Sequence, residues 1–144
     1  MKITRQALRA AVMLLATGAT TRAEDWYVSL NGSHAGGKDW SGAFTNVQAA
    51  LDAAAPGDNI YLAGEQTFFW TNQVVWTTSQ LTMRGGYEGV GTPGNRAPVQ
   101  WPTVMARSES SGTDHRVLYI NGADDSTLED VTLTGGNIYG GAGV

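Results

Sequence analysis

The chain has 144 residues, of which 42% are hydrophobic and 15% charged, with 19 glycines, 4 prolines and no cysteine. That length and apolar share support one domain with a packed core, and the lack of cysteine excludes disulfide scaffolds, thiol nucleophiles and cysteine-ligated zinc. A formal net charge of −4 provides no basic face for nucleic acid, whose phosphates need Lys and Arg to neutralise them.

Residues 1–23 read as a secretory signal peptide. Lys2, Arg5 and Arg9 form a basic start, Ala10 to Ala16 (AAVMLLA) is a short apolar run, and small residues follow. Cleavage fits after Ala19 or after Ala23, where Thr21-Arg22-Ala23 roughly fits the A-x-A pattern. The apolar run is shorter than the roughly 20 residues a bilayer span takes. No later segment is longer or more apolar, so no transmembrane segment is predicted. From Glu24 onward the chain carries 5 basic and 13 acidic side chains, a composition that repels anionic lipid and nucleic acid. The expected location is extracellular or on the outer surface of a bacterium. Without cysteine, stability there has to come from packing or repetition.

Residues 24–58 read as a strand, a loop and a helix. Trp26 to Leu30 (WYVSL) has the aromatic and β-branched character of a strand, and Asn31 to Gly42, rich in Gly, Ser and Asn, reads as loop. Thr45 and Gln48 have the spacing of a capping box at a helix start. Val47, Ala50, Leu51 and Ala54 form one apolar stripe, and Pro56-Gly57-Asp58 ends the helix.

Residues 59–144 read as short strands punctuated by Gly, Asn and Ser. Those predicted are Ile60–Leu62, Val74–Trp76, Leu81–Met83, Thr103–Met105, Val117–Ile120 and Thr127–Leu133. LTMRGG at 81–86 echoes VTLTGG at 131–136, and IYLAG at 60–64 echoes LYING at 118–122. The pairs occur in the same order, which predicts an internal repeat. In such a repeat Leu81, Met83, Val131 and Leu133 point inward, and Thr82, Arg84, Thr132 and Thr134 outward. Stacked coils expose an apolar end unless something covers it, and the alanine-rich helix stands where the first coil needs a cap.

The stretch AFTNVQAALDAAAPGDNIYLA at 43–63, the run LTMRGGYEGVGTPGNR at 81–96, RVLYINGADDSTLEDVTLTGG at 116–136 and the Gly-rich GGNIYGGAGV at 135–144 resemble bacterial right-handed parallel β-helix proteins of the pectin-lyase-like superfamily. The resemblance covers nearly the whole chain after residue 23. It implies an all-β, right-handed parallel β-helix (a solenoid) with a short N-terminal capping α-helix. Family members run to many coils, so a chain of two or three coils is expected to be truncated, with further domains downstream.

Enzymes of that family place calcium-binding acids and a basic residue on the outside of successive coils. Asp124, Asp125, Glu129 and Asp130 are the carboxylates available for this, with Arg116 and Arg84 as basic partners. Asp124-Asp125 sits in a Gly-Ala-Asp-Asp-Ser stretch that favours a turn, and no EF-hand spacing exists. Ser108, Ser110, Ser111, Asp114 and His115 contain the letters of a hydrolase triad, but triads assemble from distant segments and this one reads as a solvated loop. His34 and His115 lack companions at zinc spacing. With 13 acids, an accidental pair at glycosidase distance carries no weight. No catalytic, cofactor-binding or metal-binding residue is assigned.

Of the five tryptophans, Trp26 and Trp76 have inward places in strands, Trp40 lies in the loop, and Trp70 and Trp101 beside polar turns are expected to be exposed. The sequence thus reads as an exported, non-enzymatic adhesin-like or passenger-like binding surface for carbohydrate or other cell-surface ligands. The alternatives are a polysaccharide lyase or glycoside hydrolase with its active site mostly past residue 144, and a non-functional fragment of a longer surface protein.

Overall fold

A computed structural model describes residues 22–138. The predicted leader lies outside the described residues up to position 21, as does the predicted Gly-rich turn from position 139. Among the described residues there are nine strands and one helix: β1 (Asp25–Val28), α1 (Val47–Ala53), β2 (Asn59–Ala63), β3 (Gln66–Trp70), β4 (Val74–Trp76), β5 (Thr82–Tyr87), β6 (Thr103–Arg107), β7 (Leu118–Ile120), β8 (Thr127–Glu129) and β9 (Val131–Thr134). The fold is all-β with parallel sheets. One sheet runs β1-β2-β5-β8, a second β3-β6-β9 and a third β4-β7, every named pair parallel. The chain visits the sheets in a fixed order: β2, β3 and β4, then β5, β6 and β7, then β8 and β9.

The corners explain that order. Gly57, Gln80 and Asp125 have φ of 98°, 58° and 53°, and each stands two positions before a strand of the first sheet. Glu65 and Asp130, with φ of 53° and 52°, turn the chain from the first sheet into the second. Left-handed backbone is uncommon for non-glycine residues, so these positions do not announce themselves as breaks. This is why Thr127–Leu133, predicted as one strand, is two strands in different sheets. It also corrects the repeat. LTM of 81–83 aligns with 127–128 through Thr82↔Thr127 and Met83↔Leu128, while VTLT of 131–134 pairs with β6. IYLA belongs to the first sheet and LYI to the third. Both echoes therefore join segments from different sheets. β3 escaped prediction because Phe68-Phe69-Trp70 breaks the visible alternation, although Phe68 is buried and Phe69 exposed.

The strands enclose one apolar core. Val28, Ile60, Leu62, Phe68, Val74, Trp76, Leu81, Met83, Met105 and Leu118 are fully buried in it. Val131 and Leu133 pack against this core while Thr132 and Thr134 are exposed, as alternation requires. α1 contributes Val47, Ala50 and Leu51 from one stripe and packs on β1 and β4.

The helix start differs from the capping box. Asn46 is the N-cap, accepting from the Ala49 amide at 2.8 Å, because it stands three positions ahead of that donor. Thr45 Oγ1 instead meets His34 Nδ1 at 3.1 Å. Gln48 is thereby free to act as a substitute peptide: its Oε1 accepts from Val75 N at 2.8 Å and its Nε2 donates to Val75 O at 3.0 Å. The outer edge of β1 is met in a similar way. Tyr27 N donates to Gly37 O, Phe44 N to Tyr27 O and Ser29 N to Phe44 O, at 2.8–2.9 Å. Gln48→Ala, which strands both Val75 groups, is expected to cost about 1–2 kcal/mol in urea unfolding. Gln48→Glu, which cannot donate, should be no better.

Candidate functional site

The outward face of the first sheet carries a row of side chains in register. Tyr27 stands opposite Tyr61, Tyr61 opposite Arg84, and Arg84 opposite Glu129. A bulge makes this row wider. Tyr61 pairs with Arg84 but Ala63 with Tyr87, so Gly85-Gly86 inserts an extra residue into β5 and turns Tyr87 to the outside. Gly86 is at φ 86° there. Tyr87 then lies 5.1 Å from the Tyr61 ring and 6.2 Å from Trp40, and Tyr27 lies 5.4 Å from Tyr61 and 4.9 Å from Trp40, centroid to centroid. Trp40 comes from the 31–42 loop, and its indole donates to Pro93 O at 2.8 Å. Two loops therefore close over an aromatic cluster outside the sheet, a second small core of Tyr27, Trp40, Ala43, Tyr61, Ala63 and Tyr87.

Burial pushes the hydroxyls of Tyr27, Tyr61 and Tyr87 above the ordinary tyrosine range, with the Asp25 carboxylate adding to the effect. Tyr61 donates to Asp25 Oδ1 at 3.1 Å. Tyr61→Phe removes that bond and should destabilise by about 1 kcal/mol without shifting the sheet, measurable by thermal denaturation.

Below the aromatic cluster the row becomes ionic. Arg84 Nε meets Glu129 Oε2 at 3.0 Å and Arg96 Nη2 meets the same oxygen at 3.1 Å. Arg96 also pairs with Asp130 and donates from Nε to Gly85 O at 3.0 Å. The hydrogen bond from Arg84 leads the effects that hold Glu129 below the usual carboxylate range, with the charges of both arginines behind it. A carboxylate so held is ionised at neutral pH and has no proton to give as a general acid.

The sequence candidates separate in space. Glu129 meets Arg84, and Arg96, which the sequence singled out only as part of a motif, joins Glu129 to Asp130. Asp124 and Asp125 lie apart in an exposed turn stitched by the bonds Gln80 N to Asp124 O and Asp124 N to Ser79 Oγ. Arg116 sits over the Tyr119 ring at 5.4 Å. Ser108 and Ser110 bond each other at 2.7 Å, and Ser111 donates to Thr71 O or Thr113 O, both at 2.9 Å. His115 donates from Nδ1 to Arg116 O at 2.7 Å, and its Nε2 is buried without a hydrogen-bond partner, so no serine pairs with it. Asp114 accepts from Asn137 at 2.7 Å and faces Arg107 at 3.6 Å. His34 Nδ1 accepts from Thr45 N and pins the loop. Among the described residues no group of three or more His, Asp or Glu side chains is placed to hold a metal.

Recesses open on the outward surface of both larger sheets. One, of about 480 Å³, lies between the covering loops and is lined by Ser29, Asn31, Asp39, Trp40, Gln66 and Glu88 among others. Amide and hydroxyl donors from Gly42 and Ser41 hold Asp39 below its usual range. The other, of about 750 Å³, opens on the outward side of the second sheet between Phe69, Ala106, Arg107, Ser108, Glu109 and Thr134. The sequence favoured Trp70 and Trp101 for exposure. Both are half-buried, and among the described residues the exposed large aromatic is Phe69, at 67%. Alternation along β3 decides this, since Phe68 and Trp70 turn toward the core.

No helix among the described residues is long and apolar enough to cross a membrane. No protein-family model, no curated protein and no solved structure matches the chain.

Proposed function

We propose that this chain forms coils of a right-handed parallel β-helix in an exported bacterial surface protein, and that it binds carbohydrate or other cell-surface ligands without transforming them. The fixed order in which the chain visits three parallel sheets supports the coil reading. The observation that carries the binding reading is Phe69. An aromatic ring 67% exposed on a sheet face, in a recess rimmed by Ser108, Glu109, Ser110 and Thr134, offers a stacking surface with hydroxyl and carboxylate partners beside it. The ionic row favours binding over catalysis, because its carboxylates are spent on Arg84 and Arg96.

The enzyme reading, a polysaccharide lyase or glycoside hydrolase, has one observation in its favour: Arg84, Arg96, Glu129 and Asp130 do form the outward charged cluster that such a site needs. Incubation of the exported protein with a panel of soluble polysaccharides distinguishes the two. Retention on one or more polymers, lost in Phe69→Ala, with no new unsaturated or reducing ends, is the expected result. Release of ends above a buffer control, abolished by Arg84→Ala, would replace binding by catalysis.

A further inference from the structure

The segment that leads into β1 is held by a single buried carboxylate. Asp58, 4% exposed, accepts from the Glu24 backbone nitrogen at Oδ1 (2.8 Å), and from the Trp26 indole (2.9 Å) and Ala55 N (2.8 Å) at Oδ2. Glu24 O in turn accepts from Asn59 N at 2.9 Å. Ala23 and Arg22, by contrast, are exposed and stand just before β1. The Ala23–Glu24 bond is one of the two leader cleavage positions compatible with the sequence. A nitrogen that is a neutral amide in the uncut chain thus points straight at a buried anion.

We infer that Glu24 is the first residue of the exported protein and that its α-ammonium group, created by leader removal, forms an ion pair with Asp58 that locks β1 into the first sheet. This rests on the export reading above. Hydrolysis by a leader peptidase adds one water across the Ala23–Glu24 bond. The carboxylate departs with Ala23, and the released nitrogen takes up protons to become –NH₃⁺ where an amide N–H had been. The acceptor and its distance are already set; a hydrogen bond already assisted by the carboxylate's charge gains the attraction of an opposite charge on the donor and becomes an ion pair. The surrounding charges are the Lys38 ammonium, which lies over the Trp26 ring, and the Glu24 carboxylate with which it pairs. Cleavage after Ala19 would leave Thr20–Ala23 attached and Glu24 N an uncharged amide.

The sign with pH is definite. The pair needs Asp58 ionised and the amine protonated, so its contribution is lost as Asp58 takes up a proton in acid. It is lost again as the amine deprotonates above the ordinary α-amino range of about 8.

The test is the N-terminal sequence and intact mass of the product exported from a bacterial host expressing the full chain, followed by melting of three forms. These are the chain beginning at Glu24, the same chain with its α-amino group acetylated, and the chain beginning at Thr20. Acetylation restores an amide and removes the charge while leaving Asp58 untouched, so it carries little risk to folding. The expected result is a product starting at Glu24 that melts about 4–8 °C above both other forms at pH 7, with the gap closing at pH 10. Equal melting of the Glu24 and acetylated forms overturns the ion pair. A product starting at Thr20 overturns the assigned terminus while leaving export intact. A cell-retained chain with its leader uncut overturns this inference and the export reading together.

Discussion

Replacing Gly85 with alanine is expected to be among the most damaging single-methyl changes in the protein, costing about 3 kcal/mol and lowering the melting temperature by roughly 10 °C or more. A Cβ at this position would stand 2.3 Å from the carbonyl oxygen of Asp130 and 2.8 Å from the Thr103 side chain. Neither neighbour can retreat. Asp130 is the left-handed corner between β8 and β9, and Thr103 is buried in β6, donating to Ala63 O at 3.2 Å and accepting from Gly86 N at 2.9 Å. The added methyl therefore pushes on two sheets at once and on the bulge that presents Tyr87. Gly112→Ala is the matched control: nothing lies within 4 Å of its new Cβ, so its melting temperature should stay within about 2 °C of the parent. Equal tolerance at both sites would mean that the corner yields and that the bulge is not fixed by packing.

The second large effect is expected at Asp58. Asp58→Asn removes the charge and leaves the three donors at Glu24, Trp26 and Ala55 with one acceptor oxygen between them. A loss of about 2–4 kcal/mol in urea unfolding follows from stranding buried donors. The wild-type group also gives the fold an acid limit. Burial by itself would raise the Asp58 pKa, but the indole and the two amides, with the Lys38 charge behind them, outweigh burial and hold it below the ordinary value. A depressed carboxyl contributes its full stability above the unfolded-state pKa of about 3.9 and loses it as pH falls through the folded-state value. Unfolding free energy should therefore be flat from about pH 7 to 5 as far as this group is concerned and fall below pH 4. In Asp58→Asn that part of the acid slope should be missing.

How far the sequence could be read varies from element to element, and the reasons are physical. α1 was legible because Val47, Ala50 and Leu51 repeat at helical spacing and do face the core. Its cap was not, since the capping-box spacing points to Thr45, whereas Asn46 takes the Ala49 amide and Thr45 meets His34 instead. The inward places of Leu81 and Met83 followed from alternation. The boundary at Asp130 did not, because an Asp in left-handed backbone looks in sequence like any polar strand residue. The outward cluster was half visible. Glu129, Asp130 and Arg84 were candidates only through what the family resemblance implies, and their meeting with Arg96 depends on a loop whose path over the sheet has no local signature. The Tyr27–Tyr61–Arg84–Glu129 register could not be found from the echoes, which paired strands of different sheets. Spacing the left-handed corners at Gly57, Gln80 and Asp125 would have aligned them, but only the first is a glycine.

Gln48 guards one strand edge of the molecule. Unpaired strand edges invite other chains to add to them, and here the edge of β4 at Val75 is answered by a side-chain carboxamide, while that of β1 is answered by the backbone of residues 37 and 44. A second copy cannot add a strand at β1 or β4 without displacing the loop or the helix. Strand addition between copies is thus blocked at these two edges. A Gln48→Ala protein would open the β4 edge before it lost its fold, and should aggregate more readily than the parent at high concentration.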